Sequence, residues 1–124
     1  MKFTIEKEEK HALVTSNVER LDSRTAPDLK SELVMLVKSG FRNIAIDLSS
    51  ARYCDSSGLS ALLTGNRLCK EAGGVCVLAG VQPAVQKLIG ISQLTSVLNI
   101  VPTANEAVDL IIMEEIDREL GGED

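Results

Sequence analysis

The chain has 124 residues, of which 44% are hydrophobic and 25% charged, and its formal net charge is −5. This length fits one ordinary domain, and the composition excludes a disordered or membrane-embedded protein. With only two Phe and one Tyr and no local basic cluster, the chain also lacks the usual means of binding nucleic acid, which are positive charge and aromatic stacking.

The N-terminal third predicts a β-hairpin followed by a helix. Residues 2–7 and 11–18 have the apolar pattern of strands, and the charged segment EKEEK between them forms the turn. Thr25 is the predicted N-cap of the first helix, because Pro27 suits a first helical turn and leucines follow at helical spacing. Gly40 is expected to end this helix.

The rest of the chain alternates between strands and helices. The predicted elements are a buried strand at 43–48, a helix from Ser56 or Ser57 to Gly73-Gly74, a strand at 75–79, a helix from Pro83, a strand at 96–101 and a final helix capped by Thr103 and Glu106. Such alternation indicates parallel pairing through crossovers. The predicted fold is α/β, with a mixed, mostly parallel sheet of about five strands and about four helices. One domain is expected over residues 1–120, with a short polar tail at 121–124.

Metal, cofactor and membrane sites are not expected. Cys54, Cys69 and Cys76 are odd in number and lack C-x-x-C spacing, and His11 is the single histidine. We therefore expect the cysteines to be small buried residues in a reducing compartment. The N-terminus has no apolar signal core, and no stretch approaches the ~20 apolar residues of a membrane span. A cytoplasmic protein is predicted.

The sequence also lacks the common catalytic motifs. It contains no G-x-S-x-G elbow and no G-x-x-x-x-G-K-[ST] loop for phosphates. The carboxylate pairs Glu8-Glu9 and Glu114-Glu115 lie in very polar segments, so we expect them to be solvated and without the perturbed pKa of a catalytic acid. The interpretation as an enzyme is the weaker one, and neither catalysis nor nucleotide binding is expected.

The junction between residues 47 and 59 is the best candidate for a functional site. It places Asp55, Ser56, Ser57 and Gly58 at the start of a helix, directly after a buried strand, where open α/β sheets gather their ligands. A purely structural interpretation is also available, because Asp, Ser and Gly are favoured at any helix N-terminus and Ser56 could simply be the cap.

In this context four motifs resemble the STAS domain of anti-sigma-factor antagonists. They are the strand NIAIDLSS with the following C-D-S-S-G-L segment, the later Gly73-Gly74 before a strand, the L-D-x-x-T-A segment within residues 20–26 and the P-x-V-x-x-L helix at 83–88. The resemblance extends over about residues 3–117. One departure is Glu19, where the family often has Gly; this change could reshape or recharge the edge of a docking surface.

The resemblance implies a partner-switching role. The unphosphorylated antagonist of this family binds an anti-sigma factor that is also a serine kinase, which releases the sigma factor. The kinase phosphorylates the serine after the motif's Asp, here Ser56, and a serine phosphatase removes the phosphate. Asp22, Thr25, Asp55, Ser57 and Gly58 are then the expected docking residues around Ser56.

Two alternatives remain open at this point. The same helix face could dock on a transporter ATPase as an accessory subunit, without reversible phosphorylation. A small hydrolase using Ser56 or Ser57 belongs to a different class and would react with a fluorophosphonate.

Overall fold

The computed structural model of the chain describes residues 1–121. Within these residues the elements in chain order are β1 (Phe3–Lys7), β2 (Ala12–Ser16), β3 (Arg20–Leu21), α1 (Ala26–Lys38), β4 (Ile44–Asp47), β5 (Tyr53–Cys54), α2 (Ser56–Glu71), β6 (Cys76–Ala79), α3 (Pro83–Ile91), β7 (Asn99–Val101) and α4 (Ala104–Glu119). Of the predicted tail, Gly121 lies in a turn and residues 122–124 fall outside the described range.

The main sheet has five strands in the order β1-β2-β4-β6-β7. β1 pairs with β2 antiparallel, and the other three pairings are parallel. The central strand β4 begins with three consecutive buried apolar residues, Ile44 to Ile46, because both faces of the sheet are covered there. The predicted mixed, mostly parallel sheet with four helices is therefore confirmed.

The helices divide the core into two unequal parts. α1 and α2 pack against each other and, with α3, enclose the larger cluster, which includes Val14, Leu33, Ile46, Leu62 and Leu78. α4 lies on β4, β6 and β7 and covers a smaller cluster on the other face of the sheet, formed by Ala45, Val77, Ala79, Ala107 and Ile111. No helix within residues 1–121 is long and apolar enough to cross a membrane.

Several local predictions differ from the structure. β2 and β7 are shorter than predicted, and the two-residue strands β3 and β5 were missed because two residues show no periodicity. Thr25 is at the N-cap position of α1, but its hydroxyl does not cap the helix. At α4 the prediction holds, since the Thr103 hydroxyl accepts a hydrogen bond from the backbone N–H of Glu106 at 3.2 Å.

The expectation that Glu114-Glu115 is solvated is wrong for Glu115. This side chain is buried where the C-terminal half of α4 meets the start of β4. Its carboxylate accepts hydrogen bonds from Asn43 Nδ2 at 2.8 Å and from Arg42 Nε at 3.1 Å. These bonds with Asn43 and Arg42 hold the pKa of Glu115 below its usual value, although burial opposes the shift. Glu115 is thus an ionised group that anchors α4.

Candidate functional site

The short parallel ladder between β3 and β5 builds the site. Arg20 pairs with Tyr53, and Leu21 pairs with Cys54. Because the strands are parallel, the residues that follow them, Asp22 and Asp55, emerge side by side at the same end of the ladder. The backbone N–H of Asp55 donates to the carbonyl oxygen of Leu21 at 3.2 Å. The two predicted site segments are therefore adjacent in the fold.

Asp55 is the N-cap of α2. Its backbone is extended, and its Oδ1 accepts a hydrogen bond from the backbone N–H of Gly58 at 3.1 Å. The alternative in which Ser56 caps the helix is therefore wrong. Ser56 is instead the first helical residue, and it is exposed, whereas Ser57 is half-buried. Among the hydrogen bonds described within residues 1–121, none uses the Ser56 hydroxyl.

Gly58 allows α2 to approach β3 closely. The glycine is buried, and a Cβ atom at this position would overlap the carbonyl oxygen of Leu21 and lie 2.7 Å from the sulfur of Cys54. Gly58 was predicted as a docking residue, and the structure shows that it has a packing role. It lets the N-terminus of α2 rest directly on the ladder.

The turn from Asp22 to Thr25 is fixed by its own side chains. The Thr25 hydroxyl accepts a hydrogen bond from the Asp22 N–H at 3.0 Å and donates to the Arg20 carbonyl oxygen at 2.9 Å. Asp22 Oδ1 in turn accepts from the backbone N–H of Arg24 at 3.0 Å. Both hydrogen-bonding functions of Thr25 are therefore occupied, which makes it a positioning residue for the loop beside Ser56.

A shallow groove of about 450 Å³ opens at the serines. It runs between the first turns of α1 and α2, and its lining consists of Ser23, Ala26, Pro27, Lys30, Ser56, Ser57 and Ser60. Most of this lining is small and hydroxylated, and Lys30 is its one charged residue. Such a groove leaves Ser56 accessible to a large partner.

Tyr53 and Arg20 form an edge of the site that the sequence analysis missed. The Arg20 guanidinium lies over the Tyr53 ring, 4.7 Å from its centroid. The carbonyl oxygen of Glu19 accepts hydrogen bonds from the backbone N–H groups of Arg52 and Tyr53, at 2.9 and 3.1 Å. The Glu19 carboxylate is exposed and 3.8 Å from the Arg52 guanidinium. Glu19 therefore adds charge beside the ladder without breaking it.

The groups near Ser56 are poorly suited to activate it as a nucleophile. His11 lies just before β2, at the edge of the sheet where the parallel strands begin; its neighbour Ala12 donates a backbone hydrogen bond to Asn43 there. Ser56 follows β5 and lies beyond the opposite edge, where these strands end. Burial and the Asp55 carboxylate raise the pKa of the Cys54 thiol to about 11, so it stays protonated at neutral pH. Within residues 1–121 no cluster of metal-ligating side chains occurs.

Comparison with known proteins gives a consistent result. The STAS domain family matches residues 3–107. A protein of Bordetella bronchiseptica provisionally named anti-sigma factor antagonist BtrV is 32% identical over 85 residues, which is 68% of this chain and 71% of that protein.

Solved structures share the fold. A STAS-domain anti-sigma-factor antagonist from Planctomyces limnophilus superposes with a TM-score of 0.80 at 19% identity, covering 89% of this chain and 97% of that one. The phosphorylated form of the Bacillus cell fate determinant SpoIIAA superposes with a TM-score of 0.69 at 20% identity, covering 88% and 98%. At these identities the likeness concerns the fold.

Proposed function

Because this chain belongs to the STAS-domain family of anti-sigma-factor antagonists, we propose that it works by partner switching controlled at Ser56. In its unphosphorylated form it binds an anti-sigma factor that is also a serine kinase, and the sigma factor is released. Phosphorylation of Ser56 ends this binding, and a serine phosphatase restores it. The protein acts in the cytoplasm, where these partners operate, and contributes no catalysis and no nucleotide site of its own.

The observation that carries this proposal is the environment of Ser56. Its hydroxyl is exposed at the first position of α2, while the capping role belongs to Asp55. A kinase can therefore reach this hydroxyl without unfolding the helix. The half-buried Ser57, one residue later, is less accessible. SpoIIAA, which shares this fold, has a phosphorylated form, and this is consistent with control of such a fold by phosphorylation.

The charge of the phosphate explains how the fold could survive while the complex separates. A phosphoserine adds about −1.5 to −2 charges at neutral pH, and the free N–H groups and dipole of a helix N-terminus favour such a charge. The β3–β5 ladder has already placed the carboxylates of Asp22 and Asp55 at this end of the molecule. A third negative group there would concentrate negative charge on the docking face, and each acidic group of the partner brought against it would cost several kcal/mol.

The proposal is tested by capture from native extract on immobilised wild type, Ser56→Asp and Ser92→Asp proteins; Ser92 is an exposed serine at the end of α3, outside the site. We expect the wild type and the Ser92→Asp control to retain a kinase-fold protein that Ser56→Asp does not. Adding ATP and magnesium to the captured complex should phosphorylate Ser56, as read by phosphopeptide mass spectrometry.

Two outcomes would contradict the proposal. Phosphate found mainly on Ser57 would show that Ser57, and not Ser56, is the site of phosphorylation. Equal capture of a transport ATPase by the wild type and Ser56→Asp would instead support an accessory subunit that is not switched by phosphorylation.

A further inference from the structure

The C-terminal half of α4 carries an apolar stripe on its outer face. The inner face of the helix is used for packing, since Ala107, Ile111 and Glu115 are buried at intervals of four residues. Four large apolar side chains face away from the sheet, and we call them the outer stripe: Ile112 (42% exposed), Met113 (66%), Ile116 (49%) and Leu120 (80%). Ile116 lies four residues after Ile112, three after Met113 and four before Leu120, so the four side chains are neighbours on one side of the helix.

The charges beside the outer stripe are acidic. Asp109 lies one turn before Met113, and Asp117 lies one turn after it, so both adjoin the stripe. The one basic residue of α4, Arg118, is turned inward, with Nη2 donating to Asn43 Oδ1 at 3.2 Å and Nη1 lying 3.4 Å from Glu115 Oε1.

Lys10, from the turn before β2, also contacts α4. Lys10 Nζ donates to Glu119 at 2.9 Å. The stripe is therefore bordered by carboxylates of its own helix, and the one cation of α4, Arg118, is already engaged.

We propose that the outer stripe of α4 is a docking site for an amphipathic helix of another protein, one whose apolar face is flanked by Lys or Arg. An apolar stripe along one helix packs against the apolar face of a second helix, as in coiled-coil zippers, and the acidic border is complementary to basic flanks. A second copy of this chain would bring Asp109 and Asp117 against the same acids, and an anionic membrane would be repelled in the same way.

This surface is separate from the Ser56 site. The stripe is on α4, which covers the sheet face opposite α1 and α2. It lies at the edge of the sheet where β4 begins, because Glu115 on the same half of α4 contacts Asn43 there. Ser56 follows β5, beyond the edge where β4 ends. Both sites can therefore be occupied at once, and binding at the stripe should not depend on the state of Ser56.

The test uses the full chain and a labelled model peptide that is helical, with leucine on one face and lysine on the other. Its affinity is measured by fluorescence anisotropy against the wild type, Met113→Ser/Ile116→Ser, Asp109→Asn/Asp117→Asn and Ser56→Asp. Ile91→Ser is the matched control, because Ile91 is an exposed apolar residue of α3, away from the stripe. A second peptide with glutamate in place of lysine isolates the charge.

We expect the lysine peptide to bind the wild type, Ile91→Ser and Ser56→Asp equally. Affinity should fall by about tenfold or more in Met113→Ser/Ile116→Ser, which is about 1.4 kcal/mol. It should fall less in Asp109→Asn/Asp117→Asn, and the glutamate peptide should bind weakly.

The proposal is overturned if the lysine peptide does not bind, if it binds the stripe variant as well as the wild type, or if both peptides bind alike. Sedimentation showing a dimer that Met113→Ser/Ile116→Ser dissolves would assign the stripe to self-association. Binding to phosphatidylserine vesicles, lost in the same variant, would assign it to membranes.

Discussion

Replacing Gly58 by alanine should destabilise the protein at the contact between α2 and β3. The new Cβ would overlap the carbonyl oxygen of Leu21 and lie 2.7 Å from the Cys54 sulfur. The Leu21 oxygen cannot simply move away, because it accepts the Asp55 N–H at 3.2 Å and belongs to the ladder. The strain therefore has to be relieved by shifting α2 away from the ladder.

The loss in free energy of unfolding caused by Gly58→Ala is the sum of three contributions. Overpacking a close contact costs about 1–3 kcal/mol, and weakening the hydrogen bond between Asp55 and Leu21 costs roughly 1 kcal/mol more. Alanine recovers at most about 1 kcal/mol through its higher helix propensity. The expected net loss is about 2 kcal/mol, which for a chain of this size lowers Tm by about 8 °C.

Urea unfolding followed by circular dichroism measures this loss against a matched control. Gly90→Ala is that control, because Gly90 also lies in a helix and a Cβ there meets no atom within 4 Å. Gly90→Ala should be neutral or up to about 1 kcal/mol more stable. If Gly58→Ala is as stable as Gly90→Ala, the close approach of α2 to β3 does not exist in solution.

Three further predictions concern charge and burial. Ser56→Asp should change Tm by no more than a few degrees, since an acid at a helix N-terminus is worth about 0.3–1 kcal/mol; a large loss in a thermal melt would show that Ser56 is buried. Glu115→Gln should cost about 1–3 kcal/mol at pH 7, because the Arg42 guanidinium loses its charged acceptor. The pKa of Glu115 in the folded state is lowered, so the ionised carboxylate contributes its full stability above the ordinary pKa of 4.5 and loses it as the pH falls through the lower folded-state pKa. If urea titrations gave the same difference in free energy of unfolding between wild type and Glu115→Gln at pH 7 and at pH 2, this reasoning would be contradicted. Cys54 should resist iodoacetamide at pH 8 in the native state, because its pKa is raised to about 11; labelling as fast as in the denatured protein, by mass spectrometry, would refute its burial.

Much of the fold was determined by local sequence patterns. The buried run at β4, Pro83 at the start of α3 and the Thr103–Glu106 box of α4 are local signals, and their elements occur where these signals placed them. The family resemblance likewise rests on short segments that can be read without coordinates. Local periodicity and capping chemistry act within a few residues, so one chain segment suffices to reveal them.

The arrangement of the site was decided only by the tertiary structure. The family resemblance implied that Asp22 and Asp55 both lie near Ser56, but no local pattern indicated that Arg20–Leu21 pairs with Tyr53–Cys54 to bring them together. Nor did the sequence show that Asp55 rather than Ser56 caps α2, because either side chain can do so and the backbone geometry decides between them. Glu115 was misjudged for a related reason: its polar neighbours in sequence suggested solvent, but its partners Arg42 and Asn43 come from a distant segment. Pairing, capping and burial of this kind depend on which segments meet in space, and the local pattern does not contain that information.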